Sequence, residues 1–246
     1  MSKTRLKNIM RERLFQFKQF SVHHGKCPMP ITTDSVLVGA CAYASEASQV
    51  LDVGTGCGVI ALMIAQRNPF AIIHAVDIHA ETVVQAQQNF SESPWADRLT
   101  AFCADFLVYA SQTKQRYDLI VSNPPYFTED TLSPDAQRAN ARNTASLPLH
   151  DLIDGCQRLL TPGGTLCLIT PYSIGKSIAQ MVLYAGMYVS QCLIVKGTPT
   201  AQPSRIVWHI TRQQKPIQIK HLVIELTRGV YTQEYIRLTR DFYLKM

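Results

Sequence analysis

The sequence has 246 residues, of which 46% are hydrophobic and 17% are charged, a balance typical of a globular protein with a substantial core. No run of about 18 apolar residues occurs, which argues against a membrane-spanning helix. The basic first residues lack the apolar segment of a signal peptide. We therefore expect a cytoplasmic protein with no membrane partner.

The seven cysteines are odd in number and include no Cys-x-x-Cys pair, and several lie in apolar runs. This pattern predicts buried, reduced thiols rather than disulfides. His23, His24 and Cys27 resemble part of a metal site, but the further ligands that zinc needs are not at a suitable spacing. We expect no bound metal.

The net charge is +6, and the basic excess is concentrated near both ends of the chain. The basic residues among the first 26 are Lys3, Arg5, Lys7, Arg11, Arg13, Lys18 and Lys26. Those near the other end are Arg205, Arg212, Lys215, Lys220, Arg228, Arg237, Arg240 and Lys245. Any one of these is most simply a solvated surface charge, but the distribution favours a nucleic-acid partner.

Residues 1–45 are predicted to form an N-terminal cap. A basic helix is expected at residues 3–13, followed by a hairpin in which residues 15–22 alternate as a strand and residues 27–31 return. The Thr-Asp-Ser run at 33–35 then offers N-cap residues for a short apolar helix.

Residues 46–246 alternate between strand and helix patterns, which predicts an α/β fold with a mostly parallel sheet covered on both faces. The predicted strands are 49–53, 71–76, 99–103, 117–122, 165–170, 189–195, 205–211 and 217–226. The predicted helices are 58–67, 81–90, 149–160, 174–185 and 235–243. Two late strands forming a hairpin would add an antiparallel edge, and we expect cap and core to form a single domain over residues 1–246.

A glycine-rich segment follows the first core strand. Gly54, Gly56 and Gly58 alternate with other residues, Asp52 precedes them, and a predicted helix begins at the third glycine. Glycines permit a tight turn and a close approach to a ligand, and a helix N-terminus favours polar ligand groups. This spacing favours a nucleoside such as S-adenosylmethionine over the pyrophosphate of a dinucleotide.

Two further acids follow the next strands of the predicted sheet, where ligands of such sheets bind. Asp77, beside Ile78, lies about 20 residues beyond the glycines and can accept from both ribose hydroxyls, although it can also be a helix N-cap. Asp105 can accept from an adenine amino group, and Phe106 can pack on the ring. Thr33 is expected to close over the methionine end of the cofactor.

The strongest motif is Asn123, Pro124, Pro125, Tyr126 and Phe127, directly after the fourth core strand. The prolines make the loop rigid, which a purely structural turn would also explain. The asparagine and the aromatic residue indicate a substrate-binding role that a structural turn would not explain. Asn123 Oδ1 and the Pro124 carbonyl can each accept an N–H of a conjugated amino group and align its nitrogen with a sulfonium methyl. Tyr126 can stack on a flipped planar substrate.

These two central motifs resemble those of the amino-methyltransferases that act on nucleic-acid adenines and on release-factor glutamines. The end regions resemble one subfamily, the bacterial tRNA1(Val) adenine-37 N6-methyltransferases. The shared features are the Phe-rich stretch 15–22, the His24, Cys27 and Met29 spacing, the segments 32–35 and 39–40, the pair Arg138 and Arg142 before Leu147, and the ending 241–244. Pro30 departs from the resemblance, because many relatives are expected to have lysine there.

The resemblance implies a seven-stranded class I methyltransferase fold that converts S-adenosylmethionine to S-adenosylhomocysteine. The implied substrate is an adenosine in the anticodon arm of a tRNA, held through phosphates by the basic ends of the chain. Tyr126 and Phe127 would receive the unstacked base. Arg138 and Arg142 would contact the RNA, although structural ion pairs explain them equally well. A monomer is expected.

Three other functions share some of these features. A release-factor glutamine methyltransferase would usually have a helical domain before the glycine loop, for which about 45 residues are too few. A ribosomal-RNA guanine-N2 methyltransferase uses a similar Asn-Pro-Pro-aromatic motif. A catalytically silent RNA-binding module with this fold would have no reason to retain Asp77, Asp105 and Asn123.

Overall fold

The computed structural model describes residues 14–27, 29–125 and 147–246. The strands are β1 (Leu14–Gln16), β2 (Ser21–His23), β3 (Gln49–Val53), β4 (Ile72–Asp77), β5 (Leu99–Cys103), β6 (Tyr117–Ser122), β7 (Leu160–Pro171), β8 (Tyr188–Lys196), β9 (Pro203–Thr211), β10 (Gln218–Val223), β11 (Glu225–Thr227) and β12 (Val230–Tyr231). The α-helices are α1 (Thr33–Cys41), α2 (Val59–Arg67), α3 (Ala80–Ser91), α4 (Phe106–Gln112), α5 (Leu149–Leu159), α6 (Gly175–Tyr184) and α7 (Gln233–Thr239). Short 3₁₀ turns precede β5 and α6.

Within the described residues, the central sheet has eight strands in the order β10-β8-β9-β7-β6-β3-β4-β5. Every neighbouring pair is parallel except those that β9 makes with β7 and β8. The predicted α/β class with a mostly parallel mixed sheet is confirmed. The sheet has one strand more than the expected seven, because β10 adds to the outer side of β8.

The expected antiparallel edge is wrong in one respect, since the antiparallel strand lies inside the sheet. The β7–α6–β8 crossover leaves a gap one strand wide, and β9 turns back from β8 to fill it. His209 of β9 lies opposite Cys167 of β7 and Gln191 of β8, so the strand is hydrogen-bonded on both sides. The edge is instead β10, which runs parallel to β8.

Two apolar cores cover the two faces of the sheet, as alternation along its strands requires. In β7, Cys167 and Ile169 belong to the core under α1, α2 and α3, whereas Leu166 and Leu168 belong to the core under α4, α5 and α6. All four side chains are fully buried. Apolar strands covered on both faces are typical of parallel sheets between two helical layers.

The N-terminal hairpin differs from the prediction in its second strand. Phe17 and Phe20 are joined by a tight turn in which the Phe17 amide donates to the Phe20 carbonyl at 2.8 Å, so β1 pairs with residues 21–23. Residues 27 and 29–31 are not in a strand. The predicted basic helix at 3–13 lies outside the described residues.

The hairpin packs against the last residues of the chain. Phe17 forms an isolated antiparallel bridge with Tyr243, and its ring stacks on Phe20 at a centroid distance of 4.6 Å. Lys18 donates from Nζ to the backbone carbonyls of Arg240 and Met246. Aromatic packing and these hydrogen bonds therefore connect segments more than 200 residues apart in the chain.

Two further differences concern the region before and after the motif at 123–127. Helix α4, which follows the N-cap Asp105 and packs on α5, was not predicted from the sequence. The strand predicted at 165–170 begins earlier, at Leu160, so residues 162–164 lie within β7. A Cβ atom at Gly164 would lie 2.8 Å from the Tyr117 carbonyl oxygen, so glycine lets β7 approach β6 closely there.

Among the described residues, no helix is long and apolar enough to cross a membrane, and no cluster of three potential metal ligands occurs.

A buried histidine connects α1 with the late strands. His209 is fully buried, with Nε2 3.0 Å from the Cys41 carbonyl oxygen and Nδ1 3.2 Å from Gln191 Nε2. The neutral ring with its proton on Nε2 satisfies both contacts. Burial lowers the pKa of His209 to about 4.

We expect His209 to contribute to acid unfolding. Its folded pKa lies below the ordinary histidine value of 6.5, so the unfolded chain takes up the proton first as the pH falls. The associated stability is complete above the unfolded pKa and is lost between about pH 6.5 and pH 4, at ~1.4 kcal/mol per pH unit. Urea unfolding across this range should show that His209→Gln has a flatter pH dependence than the unaltered protein. His150→Gln, at an exposed histidine, is the control, and parallel profiles for all three proteins would contradict this role.

Candidate active site

The ends of four parallel strands bring the predicted site residues to one edge of the sheet. Strands β6, β3, β4 and β5 are consecutive neighbours, and their carboxyl ends lead into the glycine loop, Asp77, Asp105 and Asn123. Val53, the last residue of β3, lies opposite Ser122, the last residue of β6. Ligands of open α/β sheets bind beyond this edge, which makes it the candidate site.

The glycine loop has a backbone that other residues rarely adopt. Gly54, Gly56 and Gly58 have φ values of 70°, 55° and 83°, in the left-handed region. The amides of Gly54 and Thr55 donate to the Val76 carbonyl at 2.8 and 3.1 Å, which fixes the loop over β4. No atom lies within 4 Å of a Cβ built at Gly54 or Gly56, so the loop borders open space in the described structure.

Gly58 has a different role from the first two glycines. A Cβ atom there would approach the Phe90 ring to 2.5 Å, so this glycine lets α3 pack against the start of α2. The amide end of α2, which begins at Val59, follows directly. An open loop next to a helix N-terminus fits the polar groups of a nucleoside cofactor.

Asp52 is buried beneath this loop. Its Oδ2 accepts from the Thr55 hydroxyl at 2.7 Å, while Oδ1 has no hydrogen-bond partner among the described residues. Burial, partly offset by the Thr55 hydrogen bond and the nearby amide end of α2 at Ala61, raises the pKa of Asp52 to about 7. The negative charge of Asp77 raises it further. A buried carboxyl oxygen with an unused acceptor is suited to a donor that arrives with a ligand.

Asp77 ends β4 and faces the glycine loop. Its Oδ2 accepts from the Gly56 amide and its Oδ1 from the His79 amide, both at 3.0 Å. Each oxygen thus keeps further acceptor capacity, while the carboxylate is held in one orientation. Ile78, the next residue, is 40% exposed and presents an apolar surface at the same edge.

The structure places Asp105 and Phe106 at the start of α4. Asp105 Oδ1 accepts from the amides of Leu107 and Val108 at 2.8 and 3.1 Å, so Asp105 is the helix N-cap. Phe106 is buried, and its ring lies against Gly155 of α5. Contact of Asp105 and Phe106 with an adenine stays a prediction, and the cap explains why an acid stands here without a ligand.

The Asn-Pro-Pro segment begins directly at the end of β6. The Ser122 hydroxyl donates to the Val53 carbonyl at 2.9 Å, and Asn123 Nδ2 donates to the Ser35 hydroxyl at 3.2 Å. Pro124 is buried and Pro125 is exposed. Tyr126, Phe127, Arg138 and Arg142, predicted as stacking and RNA-contacting residues, lie outside the described residues.

Helix α1 lies beside the end of β6 and contacts the site through Ser35. Thr33 is the first residue of this helix and is exposed, and Thr32 rather than one of the predicted residues 33–35 is its N-cap. Ser35, predicted only as one of the candidate N-cap residues, contacts Asn123, and this contact was not predicted from the sequence. The only signal in the sequence was the Thr-Thr-Asp-Ser run itself.

Asn89 is a second residue that the sequence reading missed. Its buried amide pairs with the backbone of His23, accepting from the amide at 2.9 Å and donating to the carbonyl at 2.8 Å. The same Nδ2 donates to the Cys57 carbonyl in the glycine loop at 2.8 Å. This side chain therefore connects the N-terminal hairpin with the loop.

The fold and this edge of the sheet define a class I methyltransferase, and residues 34–182 match the family model described as methyltransferase small domain. A predicted O-methyltransferase from Agrobacterium tumefaciens superposes with a TM-score of 0.65 and 17% identity, over 85% of this chain and 96% of that one. TrmN from Thermus thermophilus has a TM-score of 0.53 and 19% identity, over 73% of this chain and 48% of that one. At these identities the likeness shows the fold.

The sequence relatives are much more similar. A Bacteroides fragilis protein named tRNA1(Val) (adenine(37)-N6)-methyltransferase is 40% identical over 238 residues, which is 96% of this chain and 100% of the relative. A Vibrio campbellii protein of the same name is 38% identical over 232 residues, 94% of this chain and 96% of the relative. The chain belongs to the tRNA1(Val) (adenine(37)-N6)-methyltransferase family.

The two kinds of glycine in the loop predict different consequences of the same substitution. Gly56→Ala introduces an unfavourable positive φ but no contact, whereas Gly58→Ala adds a collision with Phe90. We expect Gly58→Ala to lower the free energy of unfolding by about 1 kcal/mol or more beyond the loss in Gly56→Ala. Gly56→Ala should chiefly weaken S-adenosylmethionine binding.

Urea unfolding and calorimetric titration of the two variants measure these effects. Equal losses of stability in both variants would contradict the packing role of Gly58.

Proposed function

We propose that this chain transfers a methyl group from S-adenosylmethionine to the N6 amino group of adenosine 37 in tRNA1(Val). The observation that carries the proposal is the position of Asn123 at the end of β6, one strand from the glycine loop that follows β3. Full-length relatives about 40% identical, whose names state this reaction, support the choice of substrate.

The cofactor would lie across the ends of β3, β4 and β5. S-adenosylmethionine, when bound, supplies a methyl group on a positively charged sulfur. Gly54 and Gly56 would lie against it, since among the described residues beyond their own chain neighbours no atom stands within 4 Å of a Cβ at either position. Asp77 would accept from the ribose hydroxyls with the acceptor capacity that its two amide contacts leave.

Four further residues would contact the adenine or the methionine end of S-adenosylmethionine. Asp105 would accept from the adenine amino group beside its capping contacts, and the exposed Ile78 would pack against the base. Phe106, which is 5% exposed, would lie beneath the adenine rather than cover it. Thr33 would approach the methionine end from the start of α1, near the Ser35–Asn123 contact.

Asn123 and Pro124 would hold the acceptor nitrogen. The lone pair of an adenine amino group is delocalised into the ring, so the nitrogen becomes a good nucleophile only as that conjugation is lost. Asn123 Oδ1 and the Pro124 carbonyl would each accept one N–H, which aligns the nitrogen and stabilises its developing positive charge. The surplus proton then leaves to water, so no strong base is required.

The substrate would be gripped mainly through its phosphates. The basic residues near both ends of the chain would contact the anticodon arm, together with Arg138 and Arg142, while Tyr126 and Phe127 would stack on the flipped adenine. We also propose that the cap, residues 1–45, and the core belong to one domain. In support, the hairpin packs on Tyr243 and is joined to α3 by Asn89.

Nucleoside mass spectrometry tests the reaction directly. The protein is incubated with methyl-labelled S-adenosylmethionine and tRNA from cells that lack the modification, and the digested nucleosides are analysed. We expect label in N6-methyladenosine, and a single labelled fragment containing position 37 of tRNA1(Val). Label in ribosomal-RNA guanine or in release-factor glutamine would replace this proposal with one of the alternatives. Cofactor binding without any transfer would favour a silent module.

Asn123→Ala should reduce methylation to a small residual rate while leaving S-adenosylmethionine affinity within a few-fold. Loss of an acceptor that acts at the reacting nitrogen is expected to cost about a hundredfold or more in kcat. Single-turnover rates and calorimetric titration separate the two effects. Turnover close to that of the unaltered protein would refute the mechanism.

A further inference from the structure

Ser35 lies in the first turn of α1 and contacts the end of β6. Its side chain is buried, with a relative exposure of 8%, and its Oγ accepts from Asn123 Nδ2 at 3.2 Å. The two residues are 88 positions apart in the chain. A serine on a helix that packs against the sheet therefore reaches the side chain proposed to bind the substrate amino group.

The hydrogen bonds around Ser35 are compatible with the direction of this contact. Thr32 Oγ1 accepts from the Ser35 amide at 3.4 Å and lies 3.3 Å from Ser35 Oγ. Either hydroxyl can donate across the Thr32–Ser35 contact. In both cases Ser35 Oγ keeps a lone pair that accepts from Asn123 Nδ2.

A side-chain amide has a donor end and an acceptor end on opposite sides. Once Nδ2 donates to Ser35, Oδ1 is turned away from α1. The reversed amide would replace this contact with Oδ1 against Ser35 Oγ, which has no donor to offer whenever the Ser35 proton is directed to Thr32. Ser35 thus supports the orientation in which Asn123 presents an acceptor to the substrate.

The helix that carries Ser35 is itself held at both ends. Arg205 of β9 donates from Nε to Asp34 Oδ2 at 2.7 Å, beside Ser35. At the other end, Arg67 donates from Nη1 to the carbonyls of Gly39 and Ala42 at 2.8 and 2.7 Å. Val36 and Leu37 are buried in the core, so the hydroxyl has a fixed position.

We infer that Ser35 is a positioning residue for methyl transfer, acting through the orientation of the Asn123 amide. The inference rests on the proposed function, since it requires that Asn123 Oδ1 accept from the substrate nitrogen. It predicts a loss in the rate of transfer and not in the affinity for either substrate, because Ser35 itself touches neither.

The test uses Ser35→Ala and Ser35→Cys in the full chain. Alanine removes the acceptor, and cysteine fills similar space but accepts only weakly. In single-turnover assays with tRNA and S-adenosylmethionine, we expect both variants to be slower by about tenfold, the order of one hydrogen bond. The KM for tRNA and the Kd for S-adenosylmethionine should change by less than about twofold.

Arg67→Gln is the matched structural control. It removes the hydrogen bonds that hold the C-terminal end of α1 and leaves the Ser35 hydroxyl in place. We expect Arg67→Gln to lower the melting temperature at least as much as Ser35→Ala while retaining most of the transfer rate. An equal rate loss in Arg67→Gln would show that Ser35 acts only by stabilising α1, and would overturn the inference.

A double-mutant cycle separates this inference from the proposed function. If Ser35 acts through Asn123, then Ser35→Ala should not slow Asn123→Ala any further. An additional tenfold loss in the double variant would refute the coupling, as would normal rates in both Ser35 variants. Full activity of Asn123→Ala by itself would instead refute the proposed function.

Discussion

The site depends on the register between β3 and β6. These two strands end level with each other because Val53 pairs with Ser122, and the Ser122 hydroxyl closes the pair by donating to the Val53 carbonyl at 2.9 Å. The glycine loop starts directly after one strand and Asn123 directly after the other. A shift of one residue would turn every side chain of β6 to the opposite face and would separate the two halves of the site.

Around this pair, polar groups are buried only where neighbours satisfy them. Asn123 is held on one side of the site by its hydrogen bond to Ser35. Asp77 is held on the other side by the Gly56 and His79 amides. Asp52 is the exception, since one of its oxygens has no partner among the described residues and its pKa is raised. Perturbed carboxyl groups with unused hydrogen-bonding capacity are typical of sites completed by a ligand.

Local sequence patterns were enough to predict most of the fold. Strands such as β3 and β6 are mostly apolar without strict alternation, which favours a sheet buried on both faces, and polar residues at their ends indicated the site. Helix α4 was missed because it has only seven residues and its N-cap, Asp105, had been interpreted as a ligand of adenine. A capping acid and a binding acid look the same in a sequence.

The features that could not be predicted involve partners far apart in the chain. Nothing in residues 203–211 indicates that this strand lies in the interior of the sheet rather than at its edge. Its position depends on the gap between β7 and β8, which the crossover through α6 leaves. The Ser35–Asn123 contact likewise joins two short polar motifs that were each interpreted alone. Sequence patterns indicate burial and local conformation. They do not indicate which distant segment a strand or side chain will contact, because that depends on the assembled sheet.

The bridge between the hairpin and the last residues also affects biosynthesis. Phe17 and Lys18 find their partners at Tyr243, Arg240 and Met246, so a nascent chain must wait until more than 220 further residues have been made. At about 5–20 residues per second, this is a delay of ten seconds or more on the ribosome. During that time the aromatic side chains of the hairpin lack the cover they later receive. The hairpin, which Asn89 joins to the glycine loop, therefore reaches its final packing only after residues 240–246 have been made.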